Sequence, residues 1–235
     1  MSSPRQDRLR LIALVTAGVL FAAYPLTRPY ADETTLAGAR AIASARWIAS
    51  HTFAMLGFIL LAAALPVILR LVARSVDSAS GRWVSGLAAA GAALVLPYYG
   101  AEAFGLHAIA RQALAANDPQ LLTLLDTVRY QPVAVTMFGA GLVLLAAAGV
   151  LLVKALWSSG TALRWGGLAL GAGLVLFLPQ FFGPAPLRMA HGVLLGLGCV
   201  LVAVAAWRRL EAPGQTGSSE AHPENVTLVS TPKSG

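Results

Sequence analysis

The sequence predicts an all-α polytopic membrane protein, a bundle of six spanning helices with both termini in the cytoplasm, and three observations lead there. Of 235 residues, 57% are hydrophobic and 11% charged, with mean hydropathy +0.70, outside the range of ordinary soluble domains. Six segments, roughly 10–26, 47–72, 83–106, 131–157, 164–183 and 187–207, each approach the about 20 apolar residues that cross roughly 30 Å of hydrocarbon. The basic residues then divide unevenly between alternate connections. Eleven (Arg5, Arg8, Arg10, Arg70, Arg74, Arg82, Lys154, Arg164, Arg208, Arg209, Lys233) fall on the side of the termini and six (Arg28, Arg40, Arg46, Arg111, Arg129, Arg188) on the other. The richer side is expected to be cytoplasmic, in a multi-pass protein of the cell membrane.

Taken in order, residues 1–9 form a short polar arm. The first span, 10–26, follows "RQDRLR" as a secretory leader would, yet "RPYADE" is a poor A-x-A cleavage site, so the helix is expected to stay. A long outer connection, 27–46, contains a helix-like stretch at 33–45. The second span, 47–72, carries Pro66, and a polar inner link at 72–82 leads to the third, 83–106, with Pro97. Another long outer connection, 108–130, has helical composition over 108–128; with 33–45 it is expected to lie along the outer surface as a roof. The fourth span, 131–157, a polar link near 158–164, the fifth span, 164–183, with Pro179, the tight "GPAPLR" and the sixth span, 187–207, complete a transmembrane domain over 10–210. The tail, 211–235, is rich in Pro, Gly and Ser and too polar to bury itself.

Finer features support these borders. Trp47, Trp83, Trp157, Trp165 and Trp207 all fall near span ends, the headgroup level that tryptophan prefers. Gly167 and Gly171, and Gly192 and Gly196, are small-xxx-small pairs that let helices approach closely in lipid. The only cysteine, Cys199, reads as a core residue. The segments 86–103 and 167–185 share a small-residue start, then Leu-Pro, paired aromatics and Gly, which three duplicated hairpins or shared membrane composition would each explain.

The charge at Glu102 stands out, because the other nine acidic residues are read as loop or tail residues. Counting about 1.5 Å per residue from the span borders brings His51, Glu102 and His191 to one layer near the outer interface, with His107, Tyr98 and Tyr99 close by. Ionisable groups at membrane depth usually face the bundle interior or a cavity. The plainer reading is a solvated rim, or a structural Glu–Arg or Glu–His contact.

Three chemistries fit a functional cluster. The sharpest is haem b for membrane electron transfer, with His51 and His191 as axial ligands and Arg46 and Arg188 a turn outside them for the propionates. A divalent metal on two histidines and Glu102 ranks below it, since two nearby arginines repel a cation. The third is capture of an anionic lipid, quinone or small substrate by the arginines and histidines, with Glu102 as protonatable switch of a transporter. A non-catalytic accessory subunit is the bland alternative. Expected partners are the lipid bilayer and either a membrane protein or a second copy. Nucleic acid is not expected: the net charge of +7 follows from the topology, and no basic stripe with interleaved aromatics occurs. "AHGVLLGLG" at 190–198 superficially resembles the last helix of rhomboid proteases, but the fourth span lacks their GxSG nucleophile. Walker A, GxGxxG and GxSxG patterns are also missing.

Overall fold

A computed structural model describes residues 3–72 and 78–211, all of whose regular structure is helical. Arg74 and the tail from 212 onward, with Lys233, lie outside the described residues.

Helix α1 (Pro4–Thr27) begins earlier than the apolar pattern suggests. Ser3 and Gln6 form a reciprocal capping box and Pro4 occupies the first turn, a strong start signal that brings the polar arm into the helix. Its buried residues, Leu11, Leu14, Gly18, Phe21 and Pro25, alternate three and four apart, the stripe of a helix packed along one seam. The other long helices are α3 (Ala45–Val72), α4 (Ser78–Gly100), α7 (Pro132–Leu156), α8 (Thr161–Val175) and α9 (Ala185–Glu211), with α2 (Leu36–Ile42), α5 (His107–Ala116) and α6 (Thr123–Arg129) in the connections.

The long helices form a closed ring. Each packs on its successor in the order α1, α3, α4, α7, α8, α9, and α9 packs back on α1. Backbones meet where side chains are absent: a Cβ on Gly196 would stand 2.6 Å from the Gly18 carbonyl oxygen, and one on Gly171 2.7 Å from that of Gly149. Both small-residue pairs foreseen in the sequence therefore sit at helix contacts. Cys199 is buried in the same core.

Among the described residues, five helical runs are long and apolar enough to cross a membrane: Pro4–Thr27, Ala45–Val72, Ala79–Ala116, Pro132–Leu156 and Ala185–Glu211. The fifth predicted span, 164–183, departs from expectation. Helix α8 has 15 residues, about 22 Å of rise, and gives way to a turn ending in a short 3-10 segment, Pro179–Phe182, where Pro179 has no N–H to donate to the Val175 carbonyl. The third span departs in the opposite sense. A six-residue π-helix, Ala101–Leu106, joins α4 to α5, and the run continues to Ala116.

The expected roof is present. Ala39 and Ile42 of α2, Ala110 and Ala113 of α5, and Leu122 and Leu125 around α6 form a second core over Trp47 and Leu106. Trp47 stands at a helix end, as expected, but the roof buries it fully, whereas Trp83, Trp157 and Trp165 are exposed. At the opposite end, Arg8 lies over the Trp207 ring, so both ends of the described chain meet there. Asp7, assigned above to a polar arm, is buried within α1 and pairs with Arg70 of α3.

Candidate functional site

At the roofed end a partly open cleft of about 550 Å³ lies between α1, α3, α4, α7 and the turn before α9. Its construction starts at α1, which ends at Thr27 and leaves Arg28 just beyond the last turn. The Arg28 guanidinium lies 4.6 Å from the Trp47 ring centre and 5.1 Å from that of Tyr30, and donates to Glu33 Oε1 at 2.9 Å. Arg129, at the end of α6, donates through Nη1 to Glu33 Oε2 and through Nε and Nη2 to both carboxylate oxygens of Glu102, at 2.7 and 3.1 Å. Such a bidentate fork is the strongest form of Arg–carboxylate pairing.

The result is one chain of charges, Arg28–Glu33–Arg129–Glu102, tying the two outer connections to the π-helix. Burial alone pushes the Glu33 carboxyl upward, but attraction and hydrogen bonds from Arg129, then Arg28, outweigh it and hold the group below its ordinary value. For Arg129, burial opposes the charge, and Glu102 and Glu33 overcome it, raising its affinity for the proton further.

The widened turn at Glu102 has a visible use. Its carbonyl accepts the Trp47 indole N–H at 2.7 Å, locking α3 to the π segment from below the roof. π-Bulges of this kind recur at functional sites. His51, one turn along α3 from Trp47, donates from Nδ1 to the Trp47 carbonyl at 2.8 Å, leaving Nε2 3.8 Å from Glu102 Oε2. That gap is wider than a hydrogen bond. The Tyr99 hydroxyl is buried beside Tyr24 and forms no hydrogen bond of full geometry.

The structure brings together His51, Glu102, Tyr98 and Arg188 on the lining of the cleft, together with Tyr99. Tyr98 stacks on Phe138 at 4.2 Å. Arg188 donates to the Gly183 and Phe181 carbonyls at 3.0 and 2.6 Å. The other candidates lie elsewhere. His191 lines a small adjoining cavity that shares Tyr24, Arg28 and Arg188 with the cleft, with Nε2 donating to the Gly173 carbonyl at 2.8 Å and its ring edge-on to Phe177. The contacts Phe177–Phe58–Tyr99 lead from it toward His51. Arg46 donates to the Thr27 carbonyl at the end of α1, and His107 pairs through Nδ1 with the Ile42 carbonyl that ends α2. These two side chains satisfy carbonyls at helix ends. Among the described residues no three metal-ligating side chains converge.

Sequence reasoning missed Arg28, Glu33 and Arg129 as members of the site. A signal existed: Glu102 and Arg129 both fall at the outer level by residue counting, and the Glu–Arg contact was weighed as the structural role of Glu102. Glu33 carries no such signal, because its position depends on how the 28–35 connection folds back. Compared with protein-family models, curated proteins and solved structures, the chain matches none.

Proposed function

We propose that this is a six-span membrane protein with cytoplasmic termini, whose roofed end faces outward and binds a small ligand in the Glu102 cleft. The observation that carries the reading is the lining: three guanidiniums and two carboxylates meet a wall of aromatic rings in one cavity. A volume of 550 Å³ falls within the range of small-molecule sites, about 300–1,000 Å³, and buried charges gathered at membrane depth are costly unless they serve a purpose. The even number of spans rests on α8, which occupies a full place in the ring despite its length, and on the basic residues gathered at the opposite end.

The geometry supports a ligand cleft over the haem b version, which calls for one slot between His51 and His191. Those imidazoles line different cavities, and each has one nitrogen on a backbone carbonyl. A transport role draws support from the ion-pair chain, in which one cation, Arg129, bridges two carboxylates. Small molecules that co-purify with the detergent-extracted protein, identified by mass spectrometry, test the main reading. They are expected to vanish in Phe138→Trp, which fills the cleft without altering a charge. Equal small-molecule content in both proteins, with no compound raising thermal stability, would refute it.

A further inference from the structure

Resting on the cleft reading above, we infer that the ligand is a membrane-partitioning monoanion, an apolar chain or ring system with one carboxylate or phosphate ester, entering sideways from the bilayer. Three observations converge on this class.

The first is the charge count within the cleft. Arg28, Arg129 and Arg188 face Glu33 and Glu102 there, an excess of one positive charge. Both carboxylates are already engaged, Glu102 by Arg129 and Glu33 by Arg129 and Arg28, so no anionic group is left to recognise a cation. Arg188 contacts only neutral carbonyls in its hydrogen bonds and supplies the uncompensated charge. A single negative charge balances the site; a second would be paid for in desolvation.

The second is the distribution of the lining. Arg28 and Glu33 sit in the connection after α1, Arg129 at the end of α6, Glu102 on the π segment and Arg188 in the first turn of α9, while Val135, Phe138, Leu178, Phe181 and Phe182 make the apolar part of the lining. Phe182 is 87% exposed, and Val135 and Leu178 are 40% exposed. In a membrane-embedded bundle such side chains meet acyl chains, so the apolar wall opens onto lipid. These residues come from α7 and from the turn that follows α8, which stops at Val175.

The third is the Tyr99 hydroxyl, 2% exposed, lining the cleft and lacking a well-formed hydrogen bond. It stands beside the Tyr24 hydroxyl, and an anionic oxygen of a ligand would give it a stronger acceptor.

The test uses the full-length protein in nanodiscs and a photoreactive long-chain fatty acid. Labelling is expected in peptides spanning 133–138 and 178–182, competed by oleate but at least tenfold less well by oleyl alcohol. Arg188→Gln should weaken labelling about tenfold or more, the loss typical of one charge-assisted hydrogen bond, and Arg188→Lys should retain most of it. Because Arg188 also ties the turn, Val135→Trp provides a second variant; it blocks the open side, leaves the charges intact and should abolish labelling. Equal competition by oleyl alcohol would overturn the anion class while leaving a lipid-binding cleft. Labelling confined to other peptides, with a water-soluble anion such as benzoate stabilising the wild type but not Phe138→Trp, would overturn sideways entry and keep the cleft. If no probe binds and no compound stabilises the protein, this inference and the cleft reading fall together.

Discussion

Arg129 is the residue on which the site's electrostatics turn, since its side chain is 17% exposed and forks onto two carboxylates. Removing one partner of a buried pair leaves the other charge stranded, at about 3–5 kcal/mol. Glu102→Gln keeps the shape and Glu33 remains, so a loss near the lower bound is expected. Denaturation of the micellar protein should show it, with Arg129→Gln added in the same chain restoring part. The pH dependence follows from Glu33. Its proton affinity is lowered in the folded protein, so its contribution is full above the ordinary glutamate value of about 4.3 and is lost as acidity protonates the folded carboxylate. Stability should therefore fall below about pH 4, and less steeply in Glu33→Gln. Reading the sequence located Glu102 and His51 because depth along a helix is countable. It could not pair them with Arg129 and Glu33, because those partners arrive through loops whose path is set by the roof's packing. Nor could it turn the second histidine away from the first: the rotation of α9 is fixed by Gly192 and Gly196 meeting α1.

At the scale of elements, two deviations from regular helix shape the cleft. The π-helix at Ala101–Leu106 holds one residue more than an α-helical path would. Deleting Gly105, whose Cβ position is open, should restore α-geometry and leave α5 close to its present orientation, because the widened turn absorbs one extra residue. The Trp47 bond to the Glu102 carbonyl is then lost and the Glu102 side chain re-aimed, so ligand binding is expected to drop while the roof and helical circular dichroism are retained. The short α8 depends on its packing against α9, where a Cβ on Gly198 would lie 2.3 Å from the Leu170 backbone nitrogen. Gly198→Ala forces these backbones apart and should cost about 1–3 kcal/mol, measurable as a lower unfolding midpoint. A hydropathy window could not separate the α8 helix from the apolar turn after it, since Leu176, Phe177 and Leu178 are as greasy as the helix. Likewise, a π segment differs from its neighbours in hydrogen-bond register and leaves no trace in composition.

Across the whole molecule, the ring sorts every described connection to one end or the other, which makes the six-span topology testable. Cys199 is buried, so single cysteines introduced at the surface should report without interference. Arg40→Cys and Asn117→Cys are expected to react with an impermeant maleimide on intact cells, and Ser158→Cys only after permeabilisation. Pro184→Cys, beyond α8, should also react from outside; its reacting only after permeabilisation would mean that α8 does not cross and would leave an odd number of crossings. The aromatic-proline corners near Tyr24, Tyr98 and Phe181 occupy comparable places at the ends of α1, α4 and α8, and all three contribute to one cleft. The resemblance between segments 86–103 and 167–185 thus has a shared location, although Pro97 stays inside a helix and Pro179 opens a 3-10 turn.

The closure of α9 onto α1 has a consequence in time. A ribosome delivers α1 first and α9 last, so the Gly18 face of α1 waits through synthesis of nearly the whole bundle before its neighbour exists. Until then lipid or the insertion machinery must shelter that face. Chains interrupted before Gly192 would emerge as an open arc, without the clasp that converts a row of inserted helices into a finished vessel.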